Sequence, residues 1–295
     1  MRIFSPMICS KLAFCVLDAG YVDPAIVSIN SFLKFNQNIP LVIYAETGTN
    51  TARIMDAIGT GSQNVRIISE NFPDVTPEEL GKDNPYFELF VNRKSLPAFA
   101  QRIKAIDDLR RYADLLINFD LDTIFINTIE KLVNNEGIDN RFIYGVSERK
   151  NRDRWMRQLN TREIINNENY INSGFLVIGS EASREINLKN YVKFLNKFPN
   201  DIYCPEQDFI NYICAGNIVR IPEAFNLMFT SEEYQTTSPV MIHYLSKSKP
   251  WTAEPIPAGV GYYFKRYLVE AEKNQSFLSS NFLKSIKNNV EKLNL

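Results

Sequence analysis

Two aspartates, Asp120 and Asp122, stand two residues apart at the end of the apolar run 115–119. That spacing sends both carboxylates to one side of an extended chain. Two carboxylates so close repel unless a cation neutralises them or one takes up a proton. A solvated turn after a strand accounts for one aspartate but gives no reason for two. His243 follows a second apolar run, Val240-Met241-Ile242, and Lys249 comes six residues later. One imidazole nitrogen with two carboxylates makes an oxygen-rich site suited to Mn²⁺ or Mg²⁺, with positions left over for phosphate oxygens. A lone histidine at a strand end is also a common hydrogen-bonded core residue, so the two aspartates carry most of this reading.

Composition narrows the chemistry further. The 295 residues include 33 basic and 34 acidic side chains, a formal net charge of -1, which is too balanced for a generic nucleic-acid binder. With 45% hydrophobic and 12% aromatic residues the chain can bury a large core, which excludes disorder as its dominant state. There is one histidine, so two-histidine zinc hydrolases, the two-histidine facial iron triad and histidine-rich zinc clusters cannot be built from this chain. A serine or cysteine nucleophile activated by a histidine base would need His243 as that base. Cys9, Cys15, Cys204 and Cys214 form no CxxC pair and read as reduced packing residues of a cytosolic protein. No stretch approaches the roughly 20 apolar residues that span a bilayer, and the N-terminus lacks a small-residue cleavage site.

The elements that must hold these residues follow from periodicity. Residues 12–17 form an apolar run suited to a buried strand, and Asp23-Pro24 reads as a cap opening a helix with apolar spacing through Leu33. A strand over 41–45, a helix over 51–58 and a strand over 65–68 complete a βαβαβ rhythm, which calls for a mainly parallel sheet covered by helices. After a polar loop over 70–85, the spacing predicts a helix over 99–109, strands over 115–119 and 124–126, and a polar excursion over 149–169. A strand over 170–178, a helix over 205–215 and a strand over 240–244 follow. Beyond Gly261 aromatic and aliphatic residues alternate with six basic and three acidic side chains, a pattern that fits either a helical cap on the main domain or a helix on an anionic membrane surface.

Phe119-Asp120-Leu121-Asp122-Thr123 resembles the first motif of haloacid-dehalogenase-type phosphatases, but that motif usually opens its domain, and no paired-aspartate motif follows here. A wider resemblance is to glycosyltransferase family 8, retaining sugar-nucleotide transferases of GT-A fold. It runs nearly to Trp251, with the motifs in the family's order. Residues 13–21 resemble the first strand and uridine-binding turn, with Asp18 and Tyr21 on the base. Arg102 matches the basic residue that contacts donor phosphate or sugar. Asp120-Leu121-Asp122 is similar to the metal-binding DxD, and Asn172-Ser173-Gly174 to the NxG motif whose asparagine faces the donor sugar. Glu206-Gln207-Asp208, with Asn211 a turn later, resembles the DQD segment. Phe225-Asn226-Leu227-Met228 matches a following stretch, and residues 243–251 resemble HxGxxKPW, in which histidine completes the metal site and lysine binds diphosphate.

Four departures touch sugar and acceptor selection more than metal binding. Glu206 stands for aspartate, Gly20 for asparagine and Ser246 for a glycine that lets backbone approach phosphate. The aspartate usual near 142–146 is missing, with Ser147 and Glu148 as candidates for its place.

The resemblance implies an α/β GT-A (Rossmann-like) fold with a mixed, mainly parallel sheet over residues 1–260, followed by a basic amphipathic helical extension over 261–295. It implies a retaining hexosyltransferase that moves galactose or glucose from a UDP-sugar to a glycan or glycolipid acceptor, in lipopolysaccharide or other surface polysaccharide synthesis. The metal is Mn²⁺ or Mg²⁺ on Asp120, Asp122 and His243. The donor contacts are Asp18, Tyr21, Arg102, Asp120, Asn172, Ser246 and Lys249, and Gln207 and Glu206 act at the reacting sugar. Such an enzyme is cytoplasmic, with peripheral contact to the inner face of a membrane through its C-terminal helices. A phosphatase and an inactive sugar-nucleotide-binding module are the alternatives.

Overall fold

Along β1 (Cys9–Leu17), Leu12 and Phe14 face one layer of helices while Ala13 and Cys15 face another, the period-2 alternation of a strand buried on both sides. The computed structural model describes residues 9–75, 96–148, 169–198, 202, 204–228, 238–245, 249–252, 256 and 259–293. Most of the expected 70–85 loop, nearly all of the 149–169 excursion, and Ser246 lie outside these residues.

β1 pairs in parallel with β2 (Leu41–Glu46), which pairs with β3 (Val65–Glu70), and on its other side with β4 (Ala113–Phe119). α1 (Val22–Phe35) and α2 (Thr51–Ile58) make the crossovers. α3 (Leu96–Leu109) precedes β4, β5 (Thr123–Phe125) follows it closely, and a short α4 (Glu130–Val133) comes next. β6 (Ile143–Ser147) and β7 (Ile171–Gly179) then join the sheet. β7 runs antiparallel between β4 and β6, and β8 (Ile218–Arg220) closes the edge. Among the described residues the sheet has seven strands in the order β3-β2-β1-β4-β7-β6-β8.

One face of this sheet is covered by α3, α5 (Leu188–Lys197) and α6 (Pro205–Ile213), the other by α1 and α2. Phe32 of α1 stacks on Phe119 at 4.8 Å, and Phe125 meets both edge-on at 5.1 and 5.2 Å. Each such pair contributes about 0.5–1.5 kcal/mol beyond area burial. This fixes the chain on either side of Asp120 and Asp122.

Asp23 does not cap α1 as expected. Its carboxylate is taken by Arg53 Nη2 at 2.5 Å and by the Ser279 hydroxyl at 2.6 Å, and it sits within the helix's first turn. Asp18 does the capping instead, accepting the Gly20 N–H at 2.8 Å at the start of a 3-10 turn that runs directly into α1.

A second sheet of three strands, β5-β10-β9, is built from β5, β9 (Leu227–Met228) and β10 (Met241–His243). Behind it pack α7 (Gly261–Lys273) and α8 (Ser280–Lys292). Tyr263, Phe264 and Tyr267 of α7 share a buried cluster with Ile124, Ile242, Tyr244 and Val27. The aromatic face of the C-terminal segment is therefore turned inward, while Lys265, Lys273, Lys284 and Lys292 face outward. Among the described residues no helix is long and apolar enough to cross a membrane. No two of the cysteines are joined in a disulfide.

Candidate functional site

The Asp120 N–H donates to the Gly174 carbonyl at 2.9 Å, continuing the β4–β7 pairing one residue past β4. The chain then turns, held by the Thr123 hydroxyl donating to the Asp120 carbonyl at 2.6 Å. β5 pairs antiparallel with β10, with Thr123 opposite His243, and the Tyr244 N–H donates to the Asp122 carbonyl at 2.9 Å. Two strand pairings thus bring residues 120, 122 and 243 to one spot at the C-terminal end of the parallel strands.

His243 Nε2 lies 3.3 Å from Asp122 Oδ1 and 3.7 Å from Asp120 Oδ2. One ligand atom from each of the three residues falls within 4.8 Å of the others. Two hard carboxylates and one borderline nitrogen match the donor preferences of Mn²⁺ or Mg²⁺, so the residues fit a divalent cation.

Two cationic side chains flank the carboxylates. Arg102, only 9% exposed, binds Asp120 through Nη2, and its Nη1 binds Glu206 Oε1 at 3.0 Å and the Ser173 hydroxyl at 3.3 Å. Lys249 binds Asp122 and donates to the Tyr244 carbonyl at 2.9 Å. Burial pushes the Asp122 carboxyl up, but its charged neighbours, the Lys249 ammonium foremost, more than reverse this and hold it well below the usual carboxylate range. Burial alone would lower Lys249 and Arg102, yet their carboxylate neighbours raise both, so each stays firmly cationic. Glu206 moves up, because burial outweighs its Arg102 partner, and its Oε2 is buried with no hydrogen-bond partner.

α6 delivers the next group. Pro205 occupies its first turn, and Asp208 Oδ2 accepts the Cys204 N–H at 2.8 Å. Asn211 imitates a neighbouring strand: its Oδ1 accepts the Ile171 N–H at 2.8 Å and its Nδ2 donates to the Ile171 carbonyl at 2.9 Å, pinning the helix to β7. Gln207 Oε1 then accepts the Ser173 N–H at 2.9 Å, the Ser173 hydroxyl at 3.1 Å and Asn172 Nδ2 at 3.2 Å. Gln207 Nε2 donates to Glu148 Oε2 and the Tyr170 hydroxyl, both at 3.0 Å.

Asn172 has all four of its amide hydrogen-bonding capacities filled by protein groups. Its Nδ2 donates to Gln207 and, at 2.9 Å, to Glu148, while its Oδ1 accepts the Gly174 N–H and Asn226 Nδ2, both at 2.8 Å. On the opposite side, Asp18 and Tyr21 follow β1, and Tyr21 is hydrogen-bonded to Lys249. Burial, with Asp122 nearby, pushes the Tyr21 phenol up to about 12. Trp251 meets Tyr21 edge-on at 6.4 Å and packs on Tyr267 of α7 at 4.9 Å.

The expected site residues Arg102, Asp120, Asp122, Asn172, Glu206, Gln207, His243 and Lys249 therefore form one connected network, which Tyr21 joins through Lys249, while Asp18 caps the turn that carries Tyr21. Ser246 lies outside the described residues. Ser173, Tyr170, Asn226 and Glu148 belong to the same network but were not among the expected site residues. Glu148 accepts from both Asn172 and Gln207, whereas the sequence offers it only as a candidate for the place of a missing aspartate.

The family model described as Glycosyl transferase family 8 matches residues 12–254. Lipopolysaccharide glucosyltransferase WaaO of Escherichia coli (strain K12) is 28% identical over 182 residues, 54% of this chain and 52% of WaaO, so the match spans about half of that relative. Lipopolysaccharide 1,2-glucosyltransferase of the same organism is 22% identical over 275 residues, 86% of this chain and 76% of that protein. The crystal structure of the galactosyltransferase LgtC, in complex with donor and acceptor sugar analogues, superposes with a TM-score of 0.65 at 16% identity, covering 89% of this chain and 96% of LgtC. The glycosyltransferase GlyE of Streptococcus pneumoniae TIGR4 gives 0.58 at 11%, covering 92% and 66%. These likenesses bear out the expected GT-A fold.

Proposed function

The chain belongs to glycosyltransferase family 8, and from that premise we propose that it transfers galactose or glucose from a UDP-sugar, with retention, to a glycan acceptor of lipopolysaccharide or another surface polysaccharide. Family membership removes the phosphatase reading. The observation that carries the proposal is the convergence of Asp120, Asp122 and His243 beside Lys249 and Arg102. The names of the two E. coli relatives support the lipopolysaccharide acceptor.

Asp120, Asp122 and His243 would hold Mn²⁺ or Mg²⁺. A bound cation supplies Lewis-acid stabilisation for charge on the departing diphosphate. Lys249 adds a charge-assisted hydrogen bond to the same diphosphate. Arg102 bridges Asp120 and Glu206 and sets a fixed positive charge between these two carboxylates beside an anionic donor. Asp18 and Tyr21 hold the uridine end, with Trp251 behind Tyr21.

In the transfer itself the acceptor hydroxyl oxygen bonds to the anomeric carbon as the bond from that carbon to the diphosphate oxygen breaks. The electron pair leaves with UDP, and the hydroxyl proton passes to the departing phosphate oxygen. Gln207 Oε1 already accepts three hydrogen bonds, which lowers its nucleophilicity and favours front-face attack over a covalent intermediate. Gln207 and Glu206 serve instead as dipole and charge beside the developing oxocarbenium ion.

Residues 1–260 form the transferase domain in this reading, and 261–295 an extension whose inner face completes the domain. The outward lysines of that extension offer peripheral contact with an anionic membrane. Release of UDP from UDP-galactose, UDP-glucose and their N-acetyl forms, assayed side by side with Mn²⁺, tests the donor assignment. Turnover of either hexose above its N-acetyl form is expected, and turnover of N-acetyl donors alone would refute it.

A further inference from the structure

His243 is 2% exposed and has polar partners at both ring nitrogens. A neutral imidazole ligates a metal only through the nitrogen that carries no proton, and the partner of the other nitrogen decides which that is. Here the decision can be traced to a backbone group. The Gly174 N–H can only donate, so the atom it meets at 2.8 Å is the oxygen of Asn172. The Asn226 atom facing that same oxygen at 2.8 Å must then be its NH₂ group. The other end of the Asn226 amide, 3.0 Å from His243 Nδ1, is consequently a carbonyl oxygen, which can only accept. Nδ1 therefore carries the proton, and the Nε2 lone pair faces Asp120 and Asp122. The far end of the relay agrees, because Asn172 Nδ2 meets the Glu148 carboxylate, which can only accept.

Gly174 contributes twice. Besides supplying the N–H, it leaves room for the ring: a Cβ there would lie 2.1 Å from His243 Cε1 and 2.4 Å from Nδ1. The competing tautomer, with the proton on Nε2, would donate to Asp122 Oδ1 at 3.3 Å and close the site on itself.

We infer that Asn226 is a positioning residue which, anchored through Asn172 to the Gly174 N–H, holds His243 in the Nδ1–H tautomer and presents Nε2 as a metal ligand. The inference rests on the cation site proposed above for Asp120, Asp122 and His243. Because the chain has one histidine, labelling the full-length protein with ¹⁵N-histidine gives a single ring to read. A long-range ¹H–¹⁵N correlation spectrum of the metal-free protein, at a pH where the ring is neutral, reports the tautomer directly.

The wild-type ring is expected as Nδ1–H. Asn226→Leu is expected to populate Nε2–H and to weaken Mn²⁺ binding, titrated calorimetrically in the presence of UDP, by about 10–100-fold. Asn226→Asp, which keeps the acceptor, is expected to restore Nδ1–H. A wild-type ring in the Nε2–H form overturns the inference even if no variant folds, as does an unchanged tautomer in a folded Asn226→Leu. A wild-type protein that shows Nδ1–H yet binds no Mn²⁺ would refute the cation site while supporting the tautomer assignment.

Discussion

His243 and Asp122 lie side by side, Nε2 3.3 Å from Oδ1, because β10 and β5 pair with Thr123 opposite His243. The contact is a property of the strand register and needs no ligand to form it. His243→Ala is therefore expected to leave the sheet intact while removing the one imidazole in the chain. The loss of Mn²⁺-stimulated transfer should exceed the roughly 10–100-fold cost of losing a group that merely orients a ligand. A Mn²⁺ titration of the transfer rate checks this, and an unchanged activation curve would exclude His243 as a ligand.

Gly174→Ala probes the space under the ring. The added methyl would meet the His243 ring atoms Cε1 and Nδ1 well inside contact distance, so the imidazole must shift. Overpacking of this kind costs about 1–3 kcal/mol. Urea unfolding should show that loss, and Mn²⁺ affinity should fall with it.

Asn289 on α8 reaches the donor side from behind. Its Nδ2 donates to the carbonyls of Pro250 at 3.0 Å and Thr252 at 2.7 Å, the residues on either side of Trp251 and next to Lys249. Asn289→Ala removes both hydrogen bonds, the one to Pro250 fully buried, a cost of about 1–3 kcal/mol, and loosens the turn that carries Lys249. Steady-state kinetics should show a raised KM for the donor with a smaller change in kcat. A KM unchanged within error would mean that α7 and α8 do not help to hold the donor.

The acid side of the stability profile carries the mark of Asp122. Its carboxyl is held below its unfolded value, so its contribution is fully present above about pH 4 and is lost as the pH falls toward the folded value. Urea unfolding of metal-free protein should show wild type losing stability more steeply than Asp122→Asn as the pH falls below about 4. Parallel profiles would contradict the assigned ion pairing.

Much of this was legible in the sequence. Apolar runs and turn residues locate β2, α2 and β4 to within a residue or two, and β1 from Leu12 onward, because the strands are buried on both faces and carry continuous hydrophobic signals. The pair Asp120 and Asp122 stood out for the same reason, as charges ending a buried strand. Asn226 and Asn289 did not, since an amide that works through hydrogen bonds to distant residues leaves no periodic trace. Asn226 meets Asn172 across 54 positions and Asn289 meets Pro250 across 39. The N-cap at Asp23 was misplaced because its carboxylate serves Arg53 and Ser279, partners that only the tertiary fold supplies.

The central claim is cation-dependent glycosyl transfer at Asp120, Asp122 and His243. Its most direct test is UDP release from UDP-galactose and UDP-glucose by wild type with Mn²⁺, by wild type with a chelator, and by Asp122→Asn with Mn²⁺. Release is expected in the first case and should be lost in the other two. Equal release in all three would contradict the account, as would tight Mn²⁺-dependent UDP binding with no release from either donor, which would mark an inactive binding module.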